Sequence, residues 1–89
     1  MEIVKKGVAG TMQSSDLMVF VEPADSLKVE IESTVIKQFG HLIQAKVDEV
    51  LVKNNVTRGF IRLTDRGALD YAIEARIETA LQRASAARA

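Results

Sequence analysis

The stretch Leu27-Lys28-Val29-Glu30-Ile31-Glu32, followed by a helical pattern over residues 35–52, decides the fold of this 89-residue chain. Apolar and charged residues alternate over 27–32, which is the period of a strand with one buried and one solvated face. The apolar residues that follow recur at the spacing of an amphipathic helix. They are Val35, Ile36, Phe39, Leu42, Ile43, Val47, Val50 and Leu51. A strand is therefore expected to pass into a helix that Ser33 or Thr34 caps and Asn54-Asn55 ends.

Two strands are predicted before this unit. Residues 8–13 are small or apolar, and residues 17–22 are rich in strand-forming side chains. Ser14-Ser15 lies between them and favours a turn, because hydroxyls satisfy nearby backbone groups. Pro23 indicates a second turn over residues 22–25, since proline fixes its own φ and cannot donate to a sheet.

A short strand and a second helix are predicted after this unit. The strand spans residues 58–64, Asp65 caps the helix, and the helix runs from about Arg66 to Ala84. Residues 85–89 are expected to form a frayed tail. The apolar stripe of the second helix is Leu69, Ala72, Ile73, Ile77, Ala80 and Leu81.

The element order β-β-β-α-β-α predicts an α+β fold. Two hairpins followed by a crossover give a small mixed β-sheet, with both amphipathic helices packed on one face. The crossover is expected to be right-handed if the third and fourth strands are parallel. Residues 1–89 are expected to form a single domain, because the chain is too short for two.

Composition excludes several classes of function. Twelve basic and twelve acidic residues cancel, which argues against a nucleic-acid partner. The chain has no Cys, hence no disulfide, thiolate metal site or protein thiol nucleophile. It has no apolar run long enough to span a membrane and no signal peptide, so we expect a cytoplasmic protein without a membrane partner.

No catalytic residue and no metal site are expected. The only histidine, His41, has no partner nucleophile in the sequence, and a structural role is the simpler interpretation. The paired carboxylates on predicted strands and helices are explained by solvated faces. Phe20 and Phe60 fall on the less expected faces of their strands, so an unmodified module that binds a partner protein through them is an alternative function.

Asp25-Ser26-Leu27 matches the attachment site of fatty-acid-type carrier proteins, whose serine bears phosphopantetheine. In that family the triplet opens a helix in an acidic helical bundle. Here it follows Pro23 and opens the alternating strand. Ser26 is therefore interpreted as a turn residue.

A different family resembles this chain over most of its length: the acyl carrier (gamma) subunits of citrate lyase. No single matching segment is specific, but their order and spacing together are. The segments are Val8-Ala9-Gly10-Thr11 with Ser14 and Asp16, Glu22, Lys37-Gln38-Phe39-Gly40, Asn55-Val56, Gly59, Asp65, Gly67-Ala68-Leu69-Asp70, Ala75-Arg76 and Arg83-Ala84-Ser85.

The resemblance implies a covalent prosthetic group, 2'-(5''-phosphoribosyl)-3'-dephospho-coenzyme A, on Ser14, with Asp16 near the attachment site. It implies a non-catalytic subunit whose partners are the alpha (acyl transferase) and beta (citryl lyase) subunits and a prosthetic-group transferase. The arm's thiol then holds acetyl or citryl while citrate is cleaved to acetate and oxaloacetate. A hairpin tip suits this attachment, and Met12 and Leu17 are expected to anchor the strands beneath it.

The carrier subunit of citramalate lyase or malonate decarboxylase is a related alternative with the same type of group. Asp16, Asp70 and Arg76 are candidate recognition residues. Asp70 is equally explained as a first-turn acid that stabilises the helix dipole, and Arg76 as a surface cation.

Overall fold

A computed structural model describes residues 1–85 of the chain. The α+β class and the order β-β-β-α-β-α are confirmed. The elements are β1 (Gly7–Gly10), β2 (Leu17–Glu22), β3 (Leu27–Ser33), α1 (Ile36–Lys53), β4 (Gly59–Asp65) and α2 (Asp70–Ala84).

The four strands form one mixed sheet in the order β1-β2-β4-β3. Strand β2 is antiparallel to both β1 and β4, whereas β3 is parallel to β4. The predicted second hairpin is therefore wrong, because β4 lies between β2 and β3. The alternation in β3 explains its edge position: Lys28, Glu30 and Glu32 are exposed, and charged side chains protect an edge from further pairing. Strand β4 buries four residues and takes the centre.

The core lies between one face of the sheet and the two helices. Its fully buried members come from β2, β4 and both helices; they are Leu17, Val19, Val21, Ile61, Leu63, Val47, Val50, Leu51, Ile77, Ala80, Leu81 and Ala84. Leu27 was expected to face this core but is 43% exposed, because it lies at the start of the edge strand. On the opposite face Phe20 and Phe60 are half-buried, and the guanidinium of Arg62 lies 4.7 Å from the ring centroid of Phe20.

Helix α1 ends as predicted, with Asn54 as its C-terminal cap and Asn55 at a φ of 56°. Its start differs: Val35 is the N-terminal cap and makes no side-chain capping bond. Ser33 ends β3 instead, and its hydroxyl accepts a hydrogen bond from the amide of Val35 at 3.1 Å. The strand thus turns into the helix within two residues.

Helix α2 begins at Asp70, four residues later than predicted, and Asp65 is not its cap. Asp65 is the buried last residue of β4. Its carboxylate accepts bonds from the Ser33 hydroxyl at 2.7 Å and from the amides of Gly67 and Ala68 at 3.2 and 2.9 Å. An aspartate before an apolar stripe fits a strand-ending turn as well as a helix cap, and here the turn forms.

The segment before β1 lies beside the end of α2, where the amides of Val4 and Lys5 donate to the carbonyl of Ala84. Ile3 forms an isolated antiparallel bridge with Ser85, the first residue of the predicted tail, and residues 86–89 lie outside the described part of the chain. Gly7 allows β1 to pack against α2, since a Cβ there would lie 2.5 Å from the carbonyl oxygen of Ala80.

Candidate functional site

The connection between β1 and β2 is a tight turn that displays Ser14. It is closed by a bond from the amide of Thr11 to the carbonyl of Leu17 at 3.0 Å. A second, from the amide of Asp16 to the carbonyl of Gln13 at 3.2 Å, tightens the tip. Ser14 and its neighbour Ser15 are both exposed. The turn therefore offers two hydroxyls to solvent from a closed backbone frame.

Gly10 is required where β1 enters this turn. Its φ is +95°, a conformation that L side chains rarely adopt. A Cβ at this position would lie 1.9 Å from the carbonyl oxygen of Leu17, inside any allowed contact. The path of the chain into the turn thus depends on the missing side chain.

Asp16 anchors the turn from below. Its carboxylate accepts the Thr11 hydroxyl at 2.6 Å and the amide of Leu17 at 2.8 Å. The guanidinium of Arg76, on α2, donates to both carboxylate oxygens, from Nε at 3.2 Å and from Nη2 at 2.9 Å. This two-point geometry is the strong form of an arginine–carboxylate pair. It fastens the turn to α2.

The partners of Asp16 stabilise its charged form. The hydrogen bond from Thr11, followed by that from Arg76, lowers the pKa of Asp16 to about 2. A carboxylate that accepts several hydrogen bonds favours ionisation in this way. At neutral pH the cluster is an ion pair, with the Asp16 side chain 15% exposed and that of Arg76 41% exposed.

Sequence analysis named Asp16 and Arg76, and the structure brings them together. Arg76 is not merely a surface cation. Asp70 lies elsewhere: it is the first residue of α2, and its carboxylate is 3.5 Å from Nζ of Lys46. This position matches its interpretation as a first-turn acid.

A second set of bonds joins the turn to the loop between β4 and α2. The amide of Ser15 donates to the carbonyl of Arg66 at 2.7 Å, and the amide of Arg66 donates to the carbonyl of Asp16 at 2.8 Å. Ser15 has a φ of 63°, so its backbone holds the left-handed conformation in this contact. Sequence patterns did not reveal this contact, because both partners lie outside regular elements.

Ser14 differs from Ser15 in its backbone, because the amide of Ser15 is bonded to Arg66, whereas the hydroxyls of both serines make no hydrogen bond within residues 1–85. Within residues 1–85, no polar atom of Ser14 hydrogen-bonds to another protein group. Its hydroxyl is therefore free to react without breaking an interaction of the fold. Leu17 is fully buried beneath the turn as expected, but Met12 is 45% exposed and does not anchor the strands.

Ser26 lies in the turn at the other end of the sheet. Glu22 pairs with Phe60 and Leu27 with Gly59, whereas the Ser14 turn adjoins the pair Leu17–Asp65. Ser26 is exposed, and its carbonyl accepts the amide of Gly59 at 3.1 Å. Strand β3 begins directly after Ser26, so the helix that follows the serine in fatty-acid-type carrier proteins is absent at this position.

Two further kinds of site considered in the sequence analysis are a histidine-based site and a metal site. His41 is exposed on α1. In the portion covering residues 1–85, no group of three or more His, Asp or Glu side chains is arranged to hold a metal ion. Neither described helix is long and apolar enough to cross a membrane.

A cluster of exposed apolar side chains lies at the Ser14 end of the molecule, and sequence analysis placed all of its members except Tyr71 on the apolar stripes of the helices. The register places the start of β2 beside the ends of β4 and β3, so both helices begin near the Ser14 turn. The members of this apolar cluster are Ile36, Phe39, Leu42, Leu69 and Tyr71, which are 43–74% exposed. Only the C-terminal half of the α1 stripe is buried.

Comparison with known proteins identifies the family. A family model described as malonate decarboxylase delta subunit matches residues 4–84. A citrate lyase acyl carrier protein from Haemophilus influenzae (strain PittEE) is 51% identical over 85 residues, covering 96% of this chain and 90% of the relative. The same kind of protein from Halothermothrix orenii is 48% identical, covering 96% and 92%.

A solved structure shares the fold. One chain of a Pseudomonas malonate decarboxylase hetero-tetramer in complex with malonate superposes with a TM-score of 0.78 and 19% sequence identity. The match covers 96% of this chain and 93% of that one. Because the family model and the relatives span nearly the whole chain, the protein belongs to the family of citrate lyase acyl carrier proteins and malonate decarboxylase delta subunits.

Proposed function

We propose that this protein is the acyl carrier subunit of citrate lyase and that Ser14 is its attachment residue. The carrier role follows from relatives about 50% identical over nearly the whole chain. The observation that supports Ser14 is that it is exposed at the tip of a turn fixed on two sides and that neither its hydroxyl nor its backbone bonds to other described residues, whereas the Ser15 amide ties the turn to Arg66.

The residues around Ser14 fit the proposed group, a covalent phosphoribosyl-dephospho-coenzyme A. A phosphodiester needs an unhindered hydroxyl, which the tip provides. It also adds a negative charge close to Asp16. Arg76 already neutralises Asp16 with Nε and Nη2, so the new charge does not face an unpaired carboxylate.

Attachment forms one bond from the Ser14 oxygen to phosphorus. The hydroxyl proton passes to a base of the transferase, and a phosphate-type leaving group departs from the donor. The chain contributes positioning: Gly10 and the bonds of Thr11 hold the turn narrow, and Asp16 ties it to α2. A fixed tip presents the same atom to every partner, which reduces the ordering cost of each encounter.

The arm supplies a thiol to a protein that has no Cys. We propose that this thiol carries acetyl and citryl between the alpha and beta subunits during cleavage of citrate to acetate and oxaloacetate. A tethered acyl group meets neighbouring active sites at an effective concentration of about millimolar. The carrier's contribution is reach, and the catalytic groups belong to its partners.

The test is the intact mass of protein made in a host with the prosthetic-group pathway and the transferase. We expect one adduct of the arm's mass on the wild type, Ser15→Ala and Ser26→Ala, and none on Ser14→Ala. Fragmentation then assigns the residue directly. An adduct that persists in Ser14→Ala excludes Ser14 as the site, and an unmodified wild type under these conditions favours the protein-binding module.

A second candidate is the carrier subunit of malonate decarboxylase, which the shared fold with a chain of that hetero-tetramer favours. Citramalate lyase is the third of these related complexes. Reconstitution separates them: modified protein is mixed with the catalytic subunits of each complex and assayed with citrate, citramalate or malonate. Turnover with citrate alone is expected, and turnover only with malonate would replace the proposal.

A further inference from the structure

An apolar groove lies between the first half of α1 and the loop that precedes α2. Its volume is about 340 Å³, near the lower end of the range for small-molecule sites, about 300–1,000 Å³. The apolar lining comprises Val35, Phe39, Leu42, Ile43, Ala68, Leu69 and Ile73. Phe39, Leu42 and Leu69 are 48%, 55% and 59% exposed, so large apolar side chains face water along its length.

The groove is joined directly to the turn that bears Ser14. Its lining includes Gly67, Ala68 and Leu69, and the residue before them is Arg66. The backbone of Arg66 makes both bonds to the turn, accepting from Ser15 and donating to Asp16. A group attached to Ser14 therefore starts a few residues from the groove wall, and each residue spans at most about 3.6 Å.

We propose that the apolar outer part of the arm on Ser14, ending in its acetyl thioester, rests in this groove between transfers. The inference rests on the function proposed above. The covalent tether argues for this occupant: at an effective concentration of about millimolar, a groove affinity of about 1 mM already gives half occupancy. The arm needs no strong binding site, and weak binding leaves it free to depart.

Chemistry makes the groove selective for one state of the arm. A thioethyl chain and an acetyl group are mostly apolar and cover exposed Phe39, Leu42 and Leu69. A citryl group carries carboxylates, and burying them in an apolar groove is costly. Asp65 and Asp70 also line the groove and disfavour further negative charge, since Lys46, the cation beside Asp70, is already shared with Glu49 and Glu74. The acetyl arm is sheltered from water, whereas the citryl arm stays outside for cleavage.

The experiment compares backbone and methyl NMR spectra of the unmodified chain, the chain with an acetylated arm and the chain with a citryl arm. Intact mass first confirms the arm on Ser14. We expect the acetylated chain to show shifts at Leu42, Leu69 and Ile73 as well as at the turn. The citryl chain should shift the turn and leave the groove close to its unmodified positions.

A pair of variants gives a second readout. Leu42→Gln places a polar amide in the groove, and Val52→Gln makes the same kind of change at a 76% exposed position near the other end of α1. Both positions are exposed, so both variants should fold. Because about half of the arms are sheltered at this affinity, we expect hydroxylamine to cleave the acetyl thioester up to about twofold faster in Leu42→Gln, with Val52→Gln equal to the wild type.

The outcomes separate this inference from the function on which it rests. An adduct confirmed on Ser14 without groove shifts, or with equal cleavage rates in both variants, overturns the resting site alone. Groove shifts that appear only when alpha or beta subunits are added also overturn it and assign the groove to protein docking. Failure to obtain the adduct on Ser14 defeats the proposed function, and the resting site with it.

Discussion

The chain has two serine-bearing turns at opposite ends of one sheet, and they differ in what lies beneath the serine. Both Ser14 and Ser26 are exposed. The Ser14 turn is fixed by Asp16, Arg76 and the backbone of Arg66. The Ser26 turn has exposed residues from Pro23 to Leu27 and one backbone bond to Gly59.

A short sequence match favours Ser26, although its turn is the less firmly held of the two. Asp25-Ser26-Leu27 reproduces a carrier-protein triplet, but exposure and a matching triplet do not hold a hydroxyl in place. The turn at Ser14 is held by contacts with residues at least fifty positions away along the chain. Attachment by a transferase is favoured by a turn that keeps one shape, and this is the property in which the two turns differ.

Of the substitutions that test how firmly the Ser14 turn is held, Gly10→Ala should lower the free energy of unfolding most. The added Cβ meets the carbonyl of Leu17 and the φ is unfavourable, so we expect a loss of about 3–4 kcal/mol in unfolding free energy. Urea denaturation measures it. Gly67→Ala is the matched control, since its φ is +87° with nothing within 4 Å of a Cβ. A Gly10→Ala cost no larger than that of Gly67→Ala would show that the turn tolerates the side chain.

Asp65→Ala should come next, at about 2–3 kcal/mol. It leaves the Ser33 hydroxyl and the amides of Gly67 and Ala68 without their acceptor, and it loosens the loop to which the Ser14 turn bonds. Thermal and urea unfolding measure the loss. Asp25→Ala, in the exposed second turn, is the control and should stay within about 0.5 kcal/mol. Equal effects would mean that the carboxylate of Asp65 is dispensable.

Arg76→Gln should cost about 1–2 kcal/mol at pH 7, and the cost should depend on pH. The pKa of Asp16 is lowered to about 2, below its unfolded value. Its contribution is therefore complete above about pH 4 and is lost as the pH falls through 2. The unfolding free energies of the wild type and the variant are measured at pH 7 and at pH 2.5. The difference between the two proteins should be smaller at pH 2.5. Arg58→Gln at the other end, 4.0 Å from Glu2 and exposed, should show little effect at either pH. If this difference in unfolding free energy does not change with pH, the contribution of Arg76 does not depend on the charge of Asp16.

Ser15→Gly should have the smallest effect. Ser15 holds a φ of 63°, which glycine adopts without strain, but glycine also loses more backbone freedom on folding. The two effects nearly cancel, so we expect a change within about 0.5 kcal/mol and full modification of Ser14. A loss of modification in Ser15→Gly, with stability unchanged, would assign the hydroxyl of Ser15 a role in attachment.

Local periodicity predicted every element type in this fold, but it could not predict strand pairing. The alternation of apolar and charged residues in β3 and the spacing of apolar residues in α1 involve residues close together in the chain, so the sequence alone shows them. The insertion of β4 between β2 and β3 depends on which strands bury most surface together. The same limit explains the wrong prediction that Asp65 caps α2. An aspartate at this place in the sequence is typical both of a helix cap and of a turn after a strand, and only the tertiary structure decides between them.

The sequence predicted which residues belong to the candidate site, but not that they contact one another. Ser14, Asp16 and Arg76 were named because of the family resemblance. The bond between Asp16 and Arg76 spans 60 positions, and no spacing rule encodes it. The exposed half of α1 was missed because Phe39 and Leu42 have the same spacing as Val47 and Val50, whether a helix covers them or water does.

The central place of β4 has a consequence for how the protein is made. Strand β3 has its only partner in β4, and β2 has β1 on one side alone until β4 arrives. A nascent chain that ends before Gly59 can form the β1–β2 hairpin and the helix α1, but β3 has no strand to pair with. The Asp16 contact waits longer still, until residue 76 leaves the ribosome. The turn that bears Ser14 is synthesised 60 residues before the arginine that holds it, so a transferase that requires this shape modifies only chains from which residue 76 has emerged.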